Sequence, residues 1–126
     1  MSIRILITYD RFPEIAAKAP ERVQRIVSKT AYDLEAHAKK SMEGPKHGRI
    51  YGSHQASAPG EAPAIDTGKL HNSIATLVGN LQAVVFTNVD YAPYLEMGTR
   101  KMAPRPFMAP AAEKVRSAFV EALRRL

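Results

Sequence analysis

The feature that most constrains the fold is a long amphipathic stretch from Phe12 to Met42. Its apolar residues recur at three- and four-residue spacing, which is the period of an α-helix with one buried face. Pro20 interrupts the stretch, and proline lacks the donor that a helix interior needs but fits a first helical turn. The sequence therefore predicts a short helix before Pro20 and a long helix after it, which Gly44-Pro45 ends.

Three further segments are typical of β-strands. The first is IRILITYD, residues 3–10, in which the isoleucines and the tyrosine alternate with other residues. The other two are SIATLVG, residues 73–79, and QAVVFTNV, residues 82–89. Gly79-Asn80 lies between them and can adopt the positive φ angles of a tight turn, so they are expected to form a hairpin.

Two short helices are predicted around this hairpin. Asp66 or Thr67 is a candidate cap for a helical turn within DTGKLHNSI. Asp90 is a candidate cap for YAPYLEM, residues 91–97, which Gly98 can end in the left-handed conformation.

The C-terminal region completes the predicted architecture. Residues 100–108 are expected to be irregular or extended, and Pro110 fits the first turn of a final helix. The apolar stripe of that helix comprises Ala112, Val115, Phe119, Ala122, Leu123 and Leu126. The chain is thus expected to form one α+β domain over residues 1–126. A small antiparallel β-sheet would pack against one long N-terminal helix and a C-terminal helix, with a long mobile loop.

That loop is the segment from 44 to 66, GPKHGRIYGSHQASAPGEAPAID. It is rich in Gly, Pro, Ser and Ala and shows neither the helical nor the strand period. Loops of this length without secondary structure are usually functional or disordered. We therefore expect a flexible arm that becomes ordered in a complex.

Composition limits the class of protein. The chain has 126 residues, no cysteine and a formal net charge of +6. The lack of cysteine excludes disulfides, thiol catalysis and cysteine-based metal sites. No apolar run approaches the length needed to span a bilayer. We expect a protein that is made in the cytosol and kept there or packaged from there, without a membrane partner.

Two basic clusters are candidates for contact with a polyanion such as DNA, or with an acidic neighbouring protein. They comprise Lys39, Lys40, Lys46 and Arg49, and farther along Arg100, Lys101 and Arg105. Together with nearby aromatic residues they could grip a nucleic-acid backbone and stack on bases. The alternative is an ordinary solvated surface. A small basic nucleic-acid-binding protein is therefore one functional hypothesis.

No metal or nucleotide site is indicated. His47, His54 and His71 lie in or near the arm, but they lack ligand spacing, and solvent exposure explains them better. TGKL, residues 67–70, lacks the first glycine and the final Ser or Thr of a phosphate-binding loop. We therefore expect no metal and no cofactor.

Carboxylates for acid–base chemistry are sparse in the unusual segments. Asp66 and Asp90 are explained as caps, and Glu96 as an ion partner of Arg100 or Arg105. Catalytic sets assembled in space cannot be found by spacing. The expectation is that the chain is not an enzyme.

Residues 90–111, DYAPYLEMGTRKMAPRPFMAPA, have the properties of an interaction segment. Tyrosine and arginine are enriched at interface cores because they combine a large contact area with a polar tip. The prolines stiffen the backbone, so little entropy is lost on docking. Core burial of Tyr91, Leu95 and Phe107 is the competing explanation.

Two blocks of the sequence resemble a family of long-tailed bacteriophage proteins. They are SAPGEAPAIDTGKLHNSI, residues 57–74, and YAPYLEMGTRKMAPRPFMAPA, residues 91–111, on either side of the predicted hairpin. The family is the one named for gene product ten of phage HK97, which includes head–tail joining, tail-completion and minor tail proteins. Met97 departs from the family pattern, in which an aromatic residue is commoner.

The resemblance implies a structural protein of a phage or prophage, located in the neck or tail of the virion. Implied partners are further copies in a homo-oligomeric ring, for example a hexamer, other neck or tail proteins, and packaged DNA. The implied subunit or partner contacts are Tyr91, Tyr94, Glu96, Gly98, Thr99, Arg100, Arg105, Pro106 and Phe107. The implied motif residues of the fold are Asp66, Thr67, Gly68 and Leu70.

Overall fold

The computed structural model describes residues 3–5, 12–66 and 68–126. In chain order the elements are β1 (Ile3–Ile5), α1 (Phe12–Lys18), α2 (Pro20–Met42), β2 (Ile50–Tyr51), β3 (His54–Gln55), α3 (Lys69–Ser73), β4 (Ala75–Gly79), β5 (Gln82–Thr87), α4 (Ala92–Met97) and α5 (Ala109–Arg124). This is the predicted α+β architecture of small antiparallel sheets with a long N-terminal and a C-terminal helix.

The break at Pro20 is confirmed. Pro20 occupies the first turn of α2, where its missing N–H would have no helical partner. The helix ends at Met42, and Gly44 follows with a φ of 86°. One face of α2 is buried along its whole length, at Val23, Val27, Ala31, Leu34, Ala38 and Met42.

The three-stranded sheet has the order β1-β5-β4, with both pairings antiparallel. Ile3 lies opposite Thr87, and the predicted strand residues from 6 to 10 lie outside the described residues. The β4–β5 hairpin is confirmed, but its turn is Asn80-Leu81 and the positive φ, 58°, belongs to Leu81. The prediction for Gly79-Asn80 was wrong because the Leu81 N–H donates to Gln24 Oε1 of α2 at 2.6 Å, which fixes the turn one residue later.

Helix α5 packs along α2 and completes the core. Its buried residues are Ala111, Val115, Phe119 and Leu123. The predicted stripe is wrong only at Leu126, and Ala112 packs against the core although it is not fully buried. Ala112 and Ala122 are half-buried, and Leu126 is exposed because the helix ends at Arg124.

The predicted caps at Asp66 and Asp90 are wrong. The N-terminal cap residue of α3 is Gly68, at a φ of 84°, and that of α4 is Tyr91; neither of these two residues makes a side-chain cap hydrogen bond. Thr67 lies outside the described residues. Gly98 ends α4 with a positive φ as predicted, but its ψ of 177° is extended rather than left-handed helical.

The arm from 44 to 66 contains a small hairpin that its sequence does not indicate. Ile50 pairs with Gln55 and Tyr51 with His54 around a turn at Gly52 and Ser53. Each strand has only two residues, too short for a period of two to be recognised. Mobility of the arm in solution stays a prediction.

Candidate subunit interface

A groove of about 540 Å³ lies between the arm and the segments that follow it. It is lined by Leu70 and His71 of α3 and Leu95 of α4, together with Tyr51 and Ile65 of the arm. The groove therefore joins the two sequence blocks that resemble the phage family.

One face of α4 presents three large side chains to solvent. Tyr91, Tyr94 and Met97, spaced by three residues, are 42%, 48% and 79% exposed. We call these residues the tyrosine strip. Exposed apolar residues that cluster in this way mark interaction sites more often than isolated ones do. Tyr91 and Tyr94 are thus accessible to a partner, and their part in a contact stays a prediction.

Glu96 anchors the strip to the rest of the fold. Its carboxylate accepts hydrogen bonds from the backbone N–H groups of Phe107 at 3.1 Å, Met108 at 2.8 Å and Ala109 at 3.2 Å. These donors lie at the N-terminus of α5, where a negative charge is also favoured by the helix dipole. Among the described residues Glu96 pairs with neither Arg100 nor Arg105, so the predicted ion pair is wrong; its role is that of a helix cap supplied by another helix.

The loop after α4 folds back on the helix. The Gly98 N–H donates to Tyr94 O at 2.7 Å, and the Thr99 N–H donates to Met102 O at 2.8 Å. A Cβ at position 98 would lie 2.8 Å from Met102 O, so only glycine fits. The exposed Arg100 and Lys101 form the tight turn of this loop, between the paired Thr99 and Met102.

Arg105 connects that loop to both neighbours. Its N–H donates to Leu95 O of α4 at 2.6 Å, and its Nε donates to Ser57 O of the arm at 3.3 Å. A second bond, from the Gly60 N–H to Pro104 O at 2.9 Å, also fastens the arm. The arm and the tyrosine strip are therefore parts of one surface, which we call the docking face.

The arm is closed on itself by Glu61. Oε1 accepts from the N–H groups of Ala58 at 2.7 Å and His47 at 2.9 Å, and Oε2 lies 2.9 Å from His47 Nδ1. The Ala58 N–H, followed by the contacts to His47, lowers the pKa of Glu61 from 4.5 to about 2. The carboxylate thus organises an arm that has little regular structure.

Phe107 is fully buried in the chain's own core, and Pro106 is half-buried. Of the two roles considered for Phe107, core burial is the one that the structure supports. Phe107 is therefore not an exposed anchor for a neighbouring subunit, and the prediction of such a contact is corrected. Its side chain belongs to the core cluster that also contains Ala111 and Val115 of α5.

The motif around α3 contributes mainly to the fold. Leu70 is buried in the core, and Asp66 is exposed with Oδ1 at 4.0 Å from His54 Nδ1. Ser73 Oγ donates to Leu70 O at 2.6 Å and lies 2.7 Å from Oγ1 of the fully buried Thr87. These hydroxyls join α3 to β5 and so fix one wall of the groove.

The first basic cluster is only partly available to a partner. Lys39 lies 3.5 Å from Glu35, and Lys46 Nζ donates to Ser41 O at 2.7 Å. Lys40 is exposed, and the Arg49 guanidinium lies 5.3 Å from the centre of the Tyr51 ring. Lys39 and Lys46 are therefore engaged with residues of α2, whereas Lys40 and Arg49 are exposed.

Two of the three histidines are less exposed than expected, whereas His47 is 76% exposed, as predicted. His54 and His71 line the groove with side chains 29% and 22% exposed, and His71 lies 3.4 Å from Glu43. Each faces a single carboxylate. Within the part of the chain that the structure describes, no cluster of potential metal ligands is found.

A family model described as "Bacteriophage HK97-gp10, putative tail-component" matches residues 8–98. The chain belongs to this HK97-gp10-like family. The match covers more than half of the chain, including the arm, the tyrosine strip and most of the residues that line the groove, and ends before Arg105. Membership makes the chain a phage structural protein of the tail-component class, and the resemblance seen in the two sequence blocks is confirmed.

No curated protein and no solved structure matches this HK97-gp10-like chain. Among the described residues, no helix combines the length and apolar character required to cross a bilayer.

Proposed function

We propose that this tail component is a subunit of a homo-oligomeric ring at the neck or upper end of the tail, where it contacts other phage proteins. The docking face supplies one of the subunit contacts. A head-to-tail contact joins unlike patches and closes into a ring when the rotation between copies allows it. The proposal assigns the chain no reaction; Lys40 and Arg49 are the candidates for a contact with DNA.

The observation that carries the proposal is the tyrosine strip. Tyr94 and Met97 are exposed on a helix of only six residues whose C-terminal end is held by two sets of contacts. Glu96 binds it to α5, and Arg105 binds the loop after it to the arm. A rigid apolar surface loses little conformational entropy on binding, which is what a subunit contact requires.

The test is the oligomeric state of the full chain, measured by light scattering over a range of concentrations. The variant with Tyr94→Ser and Met97→Ser should lose oligomers that the wild type forms. Its melting curve should stay close to that of the wild type, because exposed substitutions usually change stability by about 0.5 kcal/mol or less. Tyr32→Ser, at an exposed tyrosine of α2, is the matched control. Equal assembly by all three proteins would refute this role for the strip.

A further inference from the structure

The exposed large apolar side chains of the described residues are concentrated in two places. One is the docking face, with Ile50 at 66% exposed and Tyr51 at 57% exposed at the tip of the arm. The other is β4, where Leu77 is 65% exposed and Val78 41%. A heterologous contact needs two such unlike patches on each copy.

Strand β4 lies at the edge of its sheet and leaves one sheet face open. Thr76 Oγ1 donates to Glu35 of α2 at 2.9 Å, so Thr76 faces the helix and Leu77 points to the opposite side. On that side Leu77 is opposite Val84, and the next apolar residue of β5 is Phe86; both are half-buried. The outer face is therefore apolar around Leu77, and the exposed Arg4 of β1 lies opposite Phe86 at the far edge.

The edge of β4 lacks the features that normally prevent pairing with another chain. Edge strands are usually protected by charged residues, proline or bulges. Residues 75–79, ATLVG, contain no charge and no proline, whereas β1 at the other edge carries the exposed Arg4. Gly79 and Gln82 close a two-residue turn, and hydrogen-bonded pairs alternate along an antiparallel ladder. The N–H groups of Thr76 and Val78 therefore point away from β5.

The β2–β3 hairpin of the arm is short and would be stabilised by pairing with a further strand. It has two residues per strand, and an isolated two-stranded hairpin is marginally stable in water. Its Ile50 and Tyr51 both stay exposed. Joined to β4, the two strands of the arm and the three of the main sheet would make a sheet of five, close to the commonest size.

We propose that the β2–β3 hairpin of one copy adds to the free edge of β4 in the next copy, placing Ile50 and Tyr51 near Leu77. The hairpin that reaches β4 belongs to another copy because the arm of the same chain is fastened at Pro104 and Arg105. This inference rests on the proposed self-assembly and names the two surfaces that meet. Main-chain hydrogen bonds supply affinity, and the apolar side chains select the register.

The contact can be tested by crosslinking because the chain contains no cysteine. Full-length Ile50→Cys and Leu77→Cys proteins are mixed and treated with a short bismaleimide. The mixture should give several-fold more crosslinked dimer than either protein alone, and the double variant should give a ladder of oligomers. Ile50→Cys mixed with Tyr32→Cys is the control, since Tyr32 is exposed but lies outside both patches.

A second variant tests the same edge without a crosslinker. Leu77→Lys should raise the concentration needed for assembly at least tenfold, because a charge on an edge strand opposes pairing. Tyr32→Lys should leave it unchanged, and circular dichroism should show that both variants are folded.

Oligomers that form without crosslinks between positions 50 and 77 and tolerate Leu77→Lys would overturn this inference and leave the proposed ring intact. If Leu77→Lys assembles normally with itself but is not incorporated into phage particles, the edge serves a different tail protein, and the inference is again overturned. Absence of oligomers and crosslinks at every concentration would overturn both proposals.

Discussion

Replacing Glu96 by alanine should destabilise the fold strongly although no core side chain is removed. The change leaves three backbone donors at the start of α5 without their acceptor. Loss of a helix cap costs about 0.5–2 kcal/mol. Hydrogen bonds to a charged group contribute about 1.5–3 kcal/mol. Because these contributions overlap, we expect a loss of about 2–4 kcal/mol in the free energy of unfolding. Glu96→Gln keeps one acceptor oxygen but removes the charge, so about half of that loss is expected.

The assay is urea denaturation together with thermal melting followed by circular dichroism. For a domain of this size, a loss of this magnitude lowers the melting temperature by about 10 °C. Glu113→Ala is the matched control, because Glu113 lies on α5 with a side chain 74% exposed and only a 3.9 Å contact to Arg116. It should change stability by less than about 0.5 kcal/mol. If Glu96→Ala melted like the control, the proposed capping of one helix by another would be refuted.

Two further predictions concern the loop and the arm. Gly98→Ala should cost about 2–3 kcal/mol, because its φ is 77° and the new Cβ would lie 2.8 Å from Met102 O. Gly44→Ala shares the positive φ but meets no atom within 4 Å, so urea denaturation should show only about 1–2 kcal/mol, and equal losses would contradict the steric argument. The Glu61 carboxylate, with its pKa lowered from 4.5 to about 2, should stabilise the arm above the ordinary carboxyl pKa and lose this contribution as pH falls towards 2. The amide proton shift of Ala58 should therefore titrate near that pKa, and the titration should vanish in Glu61→Gln. A midpoint near 4.5 would contradict the hydrogen bonds assigned to the Glu61 carboxylate.

Local signals account for the parts of the fold that the sequence predicted well. The period of α2, the first-turn Pro20 and the start of α5 at Pro110 depend on neighbours within one or two helical turns. The residue types of 90–111 indicated an interaction segment, and Tyr91 and Tyr94 are exposed there; their part in a contact stays a prediction. Such features need no knowledge of which elements later meet.

The errors arise where a residue acts on a distant segment. Glu96 has arginines nearby in the chain, yet folding brings it to the N–H groups of α5. Phe107 is of a residue type that is common at interfaces, but in the folded chain it is fully buried in the core. Glu61 lies in a segment without any period and reaches His47 across the arm. No local pattern encodes these partners.

The amino-acid order alone was enough for the number and type of the main helices, the hairpin and the family, because backbone propensity and apolar spacing are properties of contiguous residues. Folding in three dimensions was needed to show which polar groups are satisfied and which apolar groups stay exposed. The backbone donors at the edge of β4 and its exposed side chains can be identified only once it is known which other segments pack against that strand.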